Sequence, residues 1–171
     1  LSNIEQVIEA IQTMRVRGAP LIGVTGAFGL ALALREAADD AALAQAVQRL
    51  SAARPTAVNL QWALQRVQRA VASHPVTQRA AAAWAEAQAI AEEDVALNRA
   101  LGQHGAQLLT QMQKRLGRPL NVLTHCNTGW IATVDYGTAL SALYQTFDAG
   151  TPLHVWVSET RPRNQGLLTA W

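Results

Sequence analysis

The sequence has one cysteine and one lysine among its 171 residues, and only 15% of its residues are charged. The single thiol, Cys126, excludes an internal disulfide and leaves no cysteine pair that could bind zinc. The low charge content and the 50% share of hydrophobic residues exclude a disordered chain or a basic nucleic-acid-binding arm. The composition therefore predicts a globular fold in a reducing, cytoplasmic environment.

Long hydrophobic runs are also lacking. The longest nearly apolar stretch, Ile22 to Leu34, is shorter than the roughly 20 residues that cross a bilayer, so we expect a buried helix and no membrane association. No secretory signal is visible at the start. Because the chain begins at Leu1 without a methionine and stops at Trp171, we expect one or both ends of the protein to be missing from it.

Several ligand motifs are absent. Neither GxGxxG nor the Walker sequence GxxxxGK[ST] occurs, so the sequence predicts no dinucleotide or nucleoside triphosphate cofactor. The four histidines show no metal-ligand spacing, and we predict no metal site. The five tryptophans do not interleave with a basic patch, which disfavours nucleic-acid binding.

Apolar residues recur at helical spacing through the first two thirds of the chain. Residues 20–37 are apolar on every face, which predicts a central helix. The alanine-rich stretch from 77 to 116 predicts one long helix or two, with a possible kink at Gly102 and Gly105. The other predicted helices cover about residues 3–14, a segment around Leu43 to Leu50, and residues 59–71.

The pattern changes after Gly117. Residues 120–125 and 153–158 are short apolar runs rich in β-branched residues, and residues 136–147 between them have helical spacing. A strand, helix, strand crossover of this kind begins a parallel sheet. We therefore predict an α/β fold with an all-helical domain over 1–117 and the start of a parallel sheet domain over 118–171.

Cys126 directly follows the first predicted strand, and Asn127-Thr128-Gly129 follows it at a predicted helix entrance. Ligand crevices of parallel sheets lie beyond the carboxyl ends of the strands. Unpaired N–H groups at a helix start favour a thiolate, so the residue is a candidate nucleophile or acid/base. The alternative is a small buried apolar side chain.

Two arginines stand in turns that precede predicted helices. Arg17, Gly18 and Ala19 offer a guanidinium and open backbone to a phosphate, or else form a simple turn in which Arg17 contacts the preceding helix. Arg54, before Pro55, has the same two interpretations. The polar loop 158–166 follows the second strand and either contacts a ligand or is a solvated surface loop.

Four segments together resemble the methylthioribose-1-phosphate isomerase family of the methionine salvage pathway. They span nearly the whole chain in the family's order. The segments are MRVRGAPLIG at 14–23, RPTAVNL at 54–60, THCNTGWIATVDYGTAL at 124–140 and ETRPRNQGLLTAW at 159–171.

The resemblance implies that the N-terminal helical domain leads into a Rossmann-like domain, which makes 118–171 the start of a Rossmann-like parallel sheet domain. It also implies an aldose–ketose isomerase without a cofactor, usually a homodimer, that acts on a small sugar phosphate. It implies a catalytic role for Cys126. It also implies substrate contacts for Arg17, Gly18, Ala19, Arg54 and Gln165. The family's catalytic aspartate and an Asn-Lys substrate pair lie beyond the end of this chain, so we predict that the 171 residues alone are inactive.

One departure from the family pattern concerns the last segment. Only Leu167 stands between Gln165-Gly166 and the sequence LTAW, where the family usually has two residues. The shorter spacing is similar to that of ribose-1,5-bisphosphate isomerases, which remain an alternative. A second alternative is a non-catalytic protein similar to the regulatory subunits of the guanine-exchange translation initiation factor.

Overall fold

A computed structural model of the chain describes residues 1–170. Five helices come first in this part of the chain, and two strands with a helix between them follow. The helices are α1 (Ile4–Gln12), α2 (Ala19–Glu36), α3 (Asp40–Ala53), α4 (Val58–Ala72), α5 (Val76–Leu116), α6 (Ala139–Asp148) and α7 (Leu167–Ala170), and the strands are β1 (Leu120–Thr124) and β2 (Leu153–Val157). The predicted fold class, helical first and then the start of a parallel sheet, is confirmed.

The chain forms two compact units, which are described separately. Unit 1 comprises Leu1–Glu93 and unit 2 comprises Asp94–Trp171, so the division falls inside α5. The secondary structure changes from helix to strand later, after Gly117. The compact units divide after Glu93, whereas the change from helix to strand follows Gly117. The predicted domain boundary at residue 117 therefore stays a prediction.

In unit 1, α2 is the central helix, as its uniformly apolar sequence predicts. Its side chains are buried against α1, α3 and α4, and Leu30 and Ala31 are completely buried. By length and composition α2 could cross a membrane, but 56% of it is buried inside the protein. This burial is typical of a core helix.

Small residues let α2 and α4 pack closely along their length. A side-chain carbon on Gly23 would lie 2.9 Å from the carbonyl oxygen of Asn59, and one on Gly26 would lie 2.2 Å from Leu60. Because the contacts advance in the same order along both helices, α2 and α4 run in the same direction. Their N-terminal ends therefore lie at the same end of unit 1.

In unit 2, β1 and β2 pair in parallel, with Leu120 opposite Leu153 and Thr124 opposite Val157. The crossover helix α6 packs on α5, where Gly102 and Gly105 leave no room for a side-chain carbon beside Ser141 and Ala142. The two glycines do not interrupt α5, which is one continuous helix. They allow close packing against α6, and α5 has no break at the position of the predicted kink.

The predicted helix entrance directly after Gly129 is wrong. Residues 130–132 form a single 3-10 turn, and α6 begins only at Ala139. Tyr136 and Gly137 both have positive φ angles, 69° and 73°, which an α-helix cannot include. The helix therefore starts after them.

Candidate functional site

The segment before α2 carries Arg17, whose side chain is half-buried. Its Nε donates a hydrogen bond to the carbonyl oxygen of Met14, 2.7 Å away. This contact matches the turn interpretation, in which Arg17 satisfies the end of the preceding helix. It occupies one guanidinium nitrogen, so the fork can still present its other N–H groups to an anion.

Arg54 ends α3 and stands four residues before α4 begins. Its Nη1 is shielded from solvent and has no hydrogen-bond partner among the described residues. A buried donor without an acceptor is unfavourable, by about 1–3 kcal/mol, and native proteins rarely keep one without a reason. An anionic ligand oxygen would satisfy it.

The two helices that follow these arginines begin without side-chain caps. The N-cap residues are Gly18 for α2 and Ala57 for α4, and neither supplies a side-chain acceptor to the first turn. Their free backbone N–H groups give each N-terminus a partial positive charge. Both N-termini lie at one end of unit 1, and a positively polarised helix end of this kind suits a phosphate.

Cys126 lies in unit 2, two residues after β1 ends. Its side chain is exposed, so the alternative of a small buried apolar residue is wrong. Its backbone φ is 70°, in the left-handed region that non-glycine residues seldom adopt. The thiol is therefore accessible, and the loop that carries it needs support from its neighbours.

That support comes from threonines. The hydroxyl of Thr169 donates to the carbonyl oxygen of Cys126 at 2.8 Å and accepts from the backbone N–H of Thr128 at 2.9 Å. The Thr128 hydroxyl bonds the Thr124 hydroxyl at the end of β1, also at 2.9 Å. The Thr128 carbonyl oxygen accepts from the backbone N–H groups of Thr138 and Leu140, at the start of α6.

Asn127, between these bonded residues, has a side-chain amide that is shielded from solvent. Neither its Nδ2 nor its Oδ1 has a partner among the described residues. An unpaired amide beside the thiol is the kind of unsatisfied group that is common where a ligand completes the hydrogen bonding.

The carboxyl ends of the two strands are joined by a side-chain hydrogen bond. His125 Nδ1 lies 2.7 Å from the hydroxyl of Ser158. This is the hydrogen-bonded role that is usual for a histidine at a strand end, and it ties the Cys126 loop to the loop that carries Gln165. Gln165 is half-buried, and its carbonyl oxygen accepts from Leu168 N in the first turn of α7.

The six predicted site residues thus fall in two groups. Arg17, Gly18, Ala19 and Arg54 lie in unit 1, and Cys126 and Gln165 lie in unit 2. Their roles stay predictions. Among the described residues, no group of three or more histidine, cysteine, aspartate or glutamate side chains could hold a metal ion.

Sequence reasoning missed Thr128 and Thr169 as supports of the cysteine loop. Both stand in the quoted family segments, but the residues beside each threonine give no sign of a partner 41 positions away. The contact depends on α7 returning to the end of β1, which only the folded structure reveals.

The structure resembles solved proteins over its whole length. A 5-methylthioribose 1-phosphate isomerase from Pyrococcus horikoshii matches with a TM-score of 0.85 and 40% identity, covering 100% of this chain and 49% of that one. The translation initiation factor eIF-2B subunit delta from A. fulgidus matches with a TM-score of 0.82 and 39% identity, covering 100% of this chain and 51% of that one.

Curated sequences give closer matches. The methylthioribose-1-phosphate isomerase of Dechloromonas aromatica is 59% identical, and that of Methylorubrum populi is 56% identical. Each match covers 100% of this chain and 47% of the relative, so the chain spans about half the length of these relatives. The resemblance to this group predicted from the sequence is confirmed.

The family profile described as the Initiation factor 2 subunit family matches residues 15–171. Since that match covers most of the sequence, and the solved relatives share its fold, the chain belongs to the Initiation factor 2 subunit family.

Proposed function

We propose that this chain is the N-terminal part of an aldose–ketose isomerase that converts 5-methylthioribose 1-phosphate to 5-methylthioribulose 1-phosphate in methionine salvage. The observation that carries the proposal is the exposed thiol of Cys126, on a hydrogen-bonded loop at the carboxyl end of β1. The names of relatives 54–59% identical to this chain support the choice of substrate.

The reaction moves hydrogen between neighbouring sugar carbons. C2 changes from a carbinol to a ketone while C1 is reduced from the aldehyde level, so the oxidation and the reduction balance inside one molecule and no redox cofactor is required. Such a transfer needs an acid/base group at the reacting carbons and exclusion of water. Cys126 supplies one group, and the resemblance places a second, an aspartate, beyond residue 171.

Unit 1 supplies the anion-binding groups. The unsatisfied Nη1 of Arg54, the remaining N–H groups of Arg17 and the uncapped start of α2 at Gly18 and Ala19 suit a phosphate. The resemblance adds Gln165 as a substrate contact. We propose no metal, no nucleic-acid partner and no membrane, a cytoplasmic location and a homodimeric assembly.

The test is turnover by the protein extended to the length of its relatives. We expect isomerisation, followed as formation of the ketose phosphate, and a decrease in kcat of at least roughly a hundredfold for Cys126→Ser, since acid/base groups contribute about that much or more. The 171-residue chain alone is expected to show no turnover.

The control is Thr110→Val, which leaves the thiol and removes a hydroxyl on α5 that lies 3.4 Å from the Thr151 hydroxyl, before β2 begins. It should retain most of the activity. Turnover by the short chain, or a Cys126→Ser variant as active as wild type, would contradict the proposal. The short spacing after Gln165 leaves a ribose-1,5-bisphosphate isomerase as an alternative. Turnover of ribose 1,5-bisphosphate, assayed in parallel, distinguishes the two substrates.

A second candidate is a regulatory binding protein, which the likeness to the eIF-2B delta subunit favours. Calorimetry with the sugar phosphate separates the two functions. Binding by the extended protein that is lost in Arg54→Ala and kept in Arg15→Ala supports the enzyme. Arg15 is a suitable control because it is an exposed arginine already paired with Glu9. No binding by the wild-type protein supports the regulatory alternative.

A further inference from the structure

We propose that Thr169 is a positioning residue that fixes the backbone of Cys126 and couples it to the loop carrying Gln165. The inference rests on the proposed function for the importance of Cys126. Its structural part, the fixing of the loop, stands on hydrogen bonds alone and can be tested separately.

The Thr169 hydroxyl makes two different hydrogen bonds to one short loop. It donates its proton to the Cys126 carbonyl oxygen and accepts the Thr128 N–H, so it spans the peptide groups on either side of Asn127. Thr169 is itself buried, with 8% exposure. Water therefore competes less for these part-buried bonds than for exposed ones, and losing the hydroxyl would leave two backbone groups without this partner.

The loop requires this support because of its backbone conformation. At φ 70°, Cys126 is in a left-handed conformation that is unfavourable for a residue with a side chain. Such a conformation persists only where neighbouring contacts hold it. The hydrogen bond to the carbonyl oxygen of the same residue is one of those contacts.

The coupling to Gln165 follows from the position of Thr169 in the chain. Its backbone N–H donates to the carbonyl oxygen of Gly166, while Leu168 N donates to that of Gln165, so α7 is built directly on the Gln165 loop. A side-chain carbon on Gly166 would lie 2.3 Å from the Ser158 carbonyl oxygen, which shows how tightly that loop is packed. Thr169 thus bonds the Cys126 loop through its hydroxyl and the Gln165 loop through its backbone N–H.

The structural part is tested by residue-resolved amide hydrogen exchange of the 171-residue chain. We compare wild type with Thr169→Val, Thr169→Ala and Thr169→Ser. The Thr128 amide should exchange roughly tenfold faster or more in the first two variants, because it loses its part-buried hydrogen bond to the Thr169 hydroxyl. The serine variant, which keeps the hydroxyl, should stay near wild type.

The amides of Leu120 and Ser158, which donate across the sheet, serve as an internal reference for folding. Thr146→Val is the matched control, because it removes another buried threonine hydroxyl in unit 2, bonded to the Ala142 carbonyl oxygen. It should leave Thr128 exchange unchanged. Unchanged Thr128 protection in folded valine and alanine variants would overturn the proposal.

The positioning part is tested in the extended protein by comparing kcat with KM. Thr169→Val should lower kcat roughly tenfold or more with little change in KM, and Thr169→Ser should restore it, because only the geometry of the thiol changes. A loss of stability with kcat unchanged would make the role purely structural and overturn this part. Absence of isomerase activity in the wild type would defeat the proposed function and leave the exchange result standing.

Discussion

Gly137 is enclosed by the loop that follows Cys126. Its φ is 73°, and a side-chain carbon there would lie 2.7 Å from the carbonyl carbon of Gly129 and 2.9 Å from the carbonyl oxygen of Thr128. Both neighbours are backbone atoms that also take part in the cysteine loop. Glycine is therefore required at this position for its conformation and for its small size.

We predict that Gly137→Ala destabilises unit 2 by about 2–4 kcal/mol, because backbone strain and steric overlap add together. Denaturant unfolding with a probe in unit 2 measures the change. Gly150→Ala is the control, since Gly150 has a similar φ of 81° but no atom within 4 Å of the added carbon. It should lose only about 1 kcal/mol of stability, from the backbone strain alone. Equal losses for both variants would show that the overlap has no effect.

At the residue scale the sequence predicted the position of Cys126 well but not its surroundings. A cysteine directly after an apolar strand lies at the crevice edge of a parallel sheet. This position follows from the order of residues in one short segment. The positive φ at Cys126 and the bond from Thr169 depend on segments 43 positions apart. No local pattern encodes such a contact.

At the scale of elements, α5 and α6 are held together by small residues in unit 2. A side-chain carbon on Gly105 would lie 2.4 Å from the Cβ of Ala142. The Ser141 hydroxyl, completely buried, donates to the carbonyl oxygen of Asn98 at 2.7 Å. The close approach allows this side-chain bond to a helix backbone, so the glycine and the serine act together.

Gly105→Ala should therefore destabilise unit 2 by about 1–3 kcal/mol, although alanine is the better helix former. The double variant Gly105→Ala with Ala142→Gly removes the clashing carbon and should recover most of the loss. Thermal unfolding of the two single variants and the double variant gives the coupling between the positions. Additive effects would show that these two residues do not limit the approach of the helices.

In unit 1, Arg66 on α4 binds two carboxylates on α5. It contacts Glu86 at 2.5 Å and Glu93 with both terminal nitrogens, and its guanidinium stacks 5.5 Å from the Trp62 ring centre. The bond from Arg66 lowers the pKa of the Glu93 carboxyl below its usual value of 4.5. The exposed fractions are 22% for Arg66 and 24% for Glu86 but 52% for Glu93, so solvent screens the Glu86 pair less than the Glu93 pair.

We predict that Arg66→Met destabilises unit 1 by about 1–2 kcal/mol at neutral pH. A carboxyl whose pKa is lower in the folded state stabilises that state at any pH above its pKa in the unfolded chain. This contribution is lost as the pH falls through the pKa of the folded state. The difference from wild type should therefore shrink as the pH falls below the usual carboxyl value of 4.5. Urea unfolding at each pH measures it, and Arg15→Met, at a more exposed pair, should change stability by about 0.5 kcal/mol or less.

Most elements could be predicted because their signals are local. The apolar sequence of α2 on all faces gave its central position, and the β-branched runs gave both strands. The α6 start was misplaced because the positive φ angles at Tyr136 and Gly137 arise from loop packing, and α7 was not predicted because four residues carry no periodicity. Compact unit 1 also ends inside α5, where the helical pattern shows no change.

At the scale of the whole molecule, the chain spans about half the length of its curated relatives and its described sheet has two strands. One face of that sheet carries Leu123, 73% exposed, directly opposite Trp156, 57% exposed. Parallel sheets normally have both faces covered. Apolar side chains paired on an open face favour association between copies.

We therefore predict that the 171-residue chain self-associates, with a mass by light scattering that rises with concentration. Leu123→Lys should lower the associated fraction, because the added charge would have to be buried beside Trp156 in any contact through this face. Val58→Lys, at an equally exposed apolar residue on α4 in unit 1, should leave association unchanged. A monomeric mass at every concentration would contradict the prediction, and an equal effect of both lysines would place the contact elsewhere.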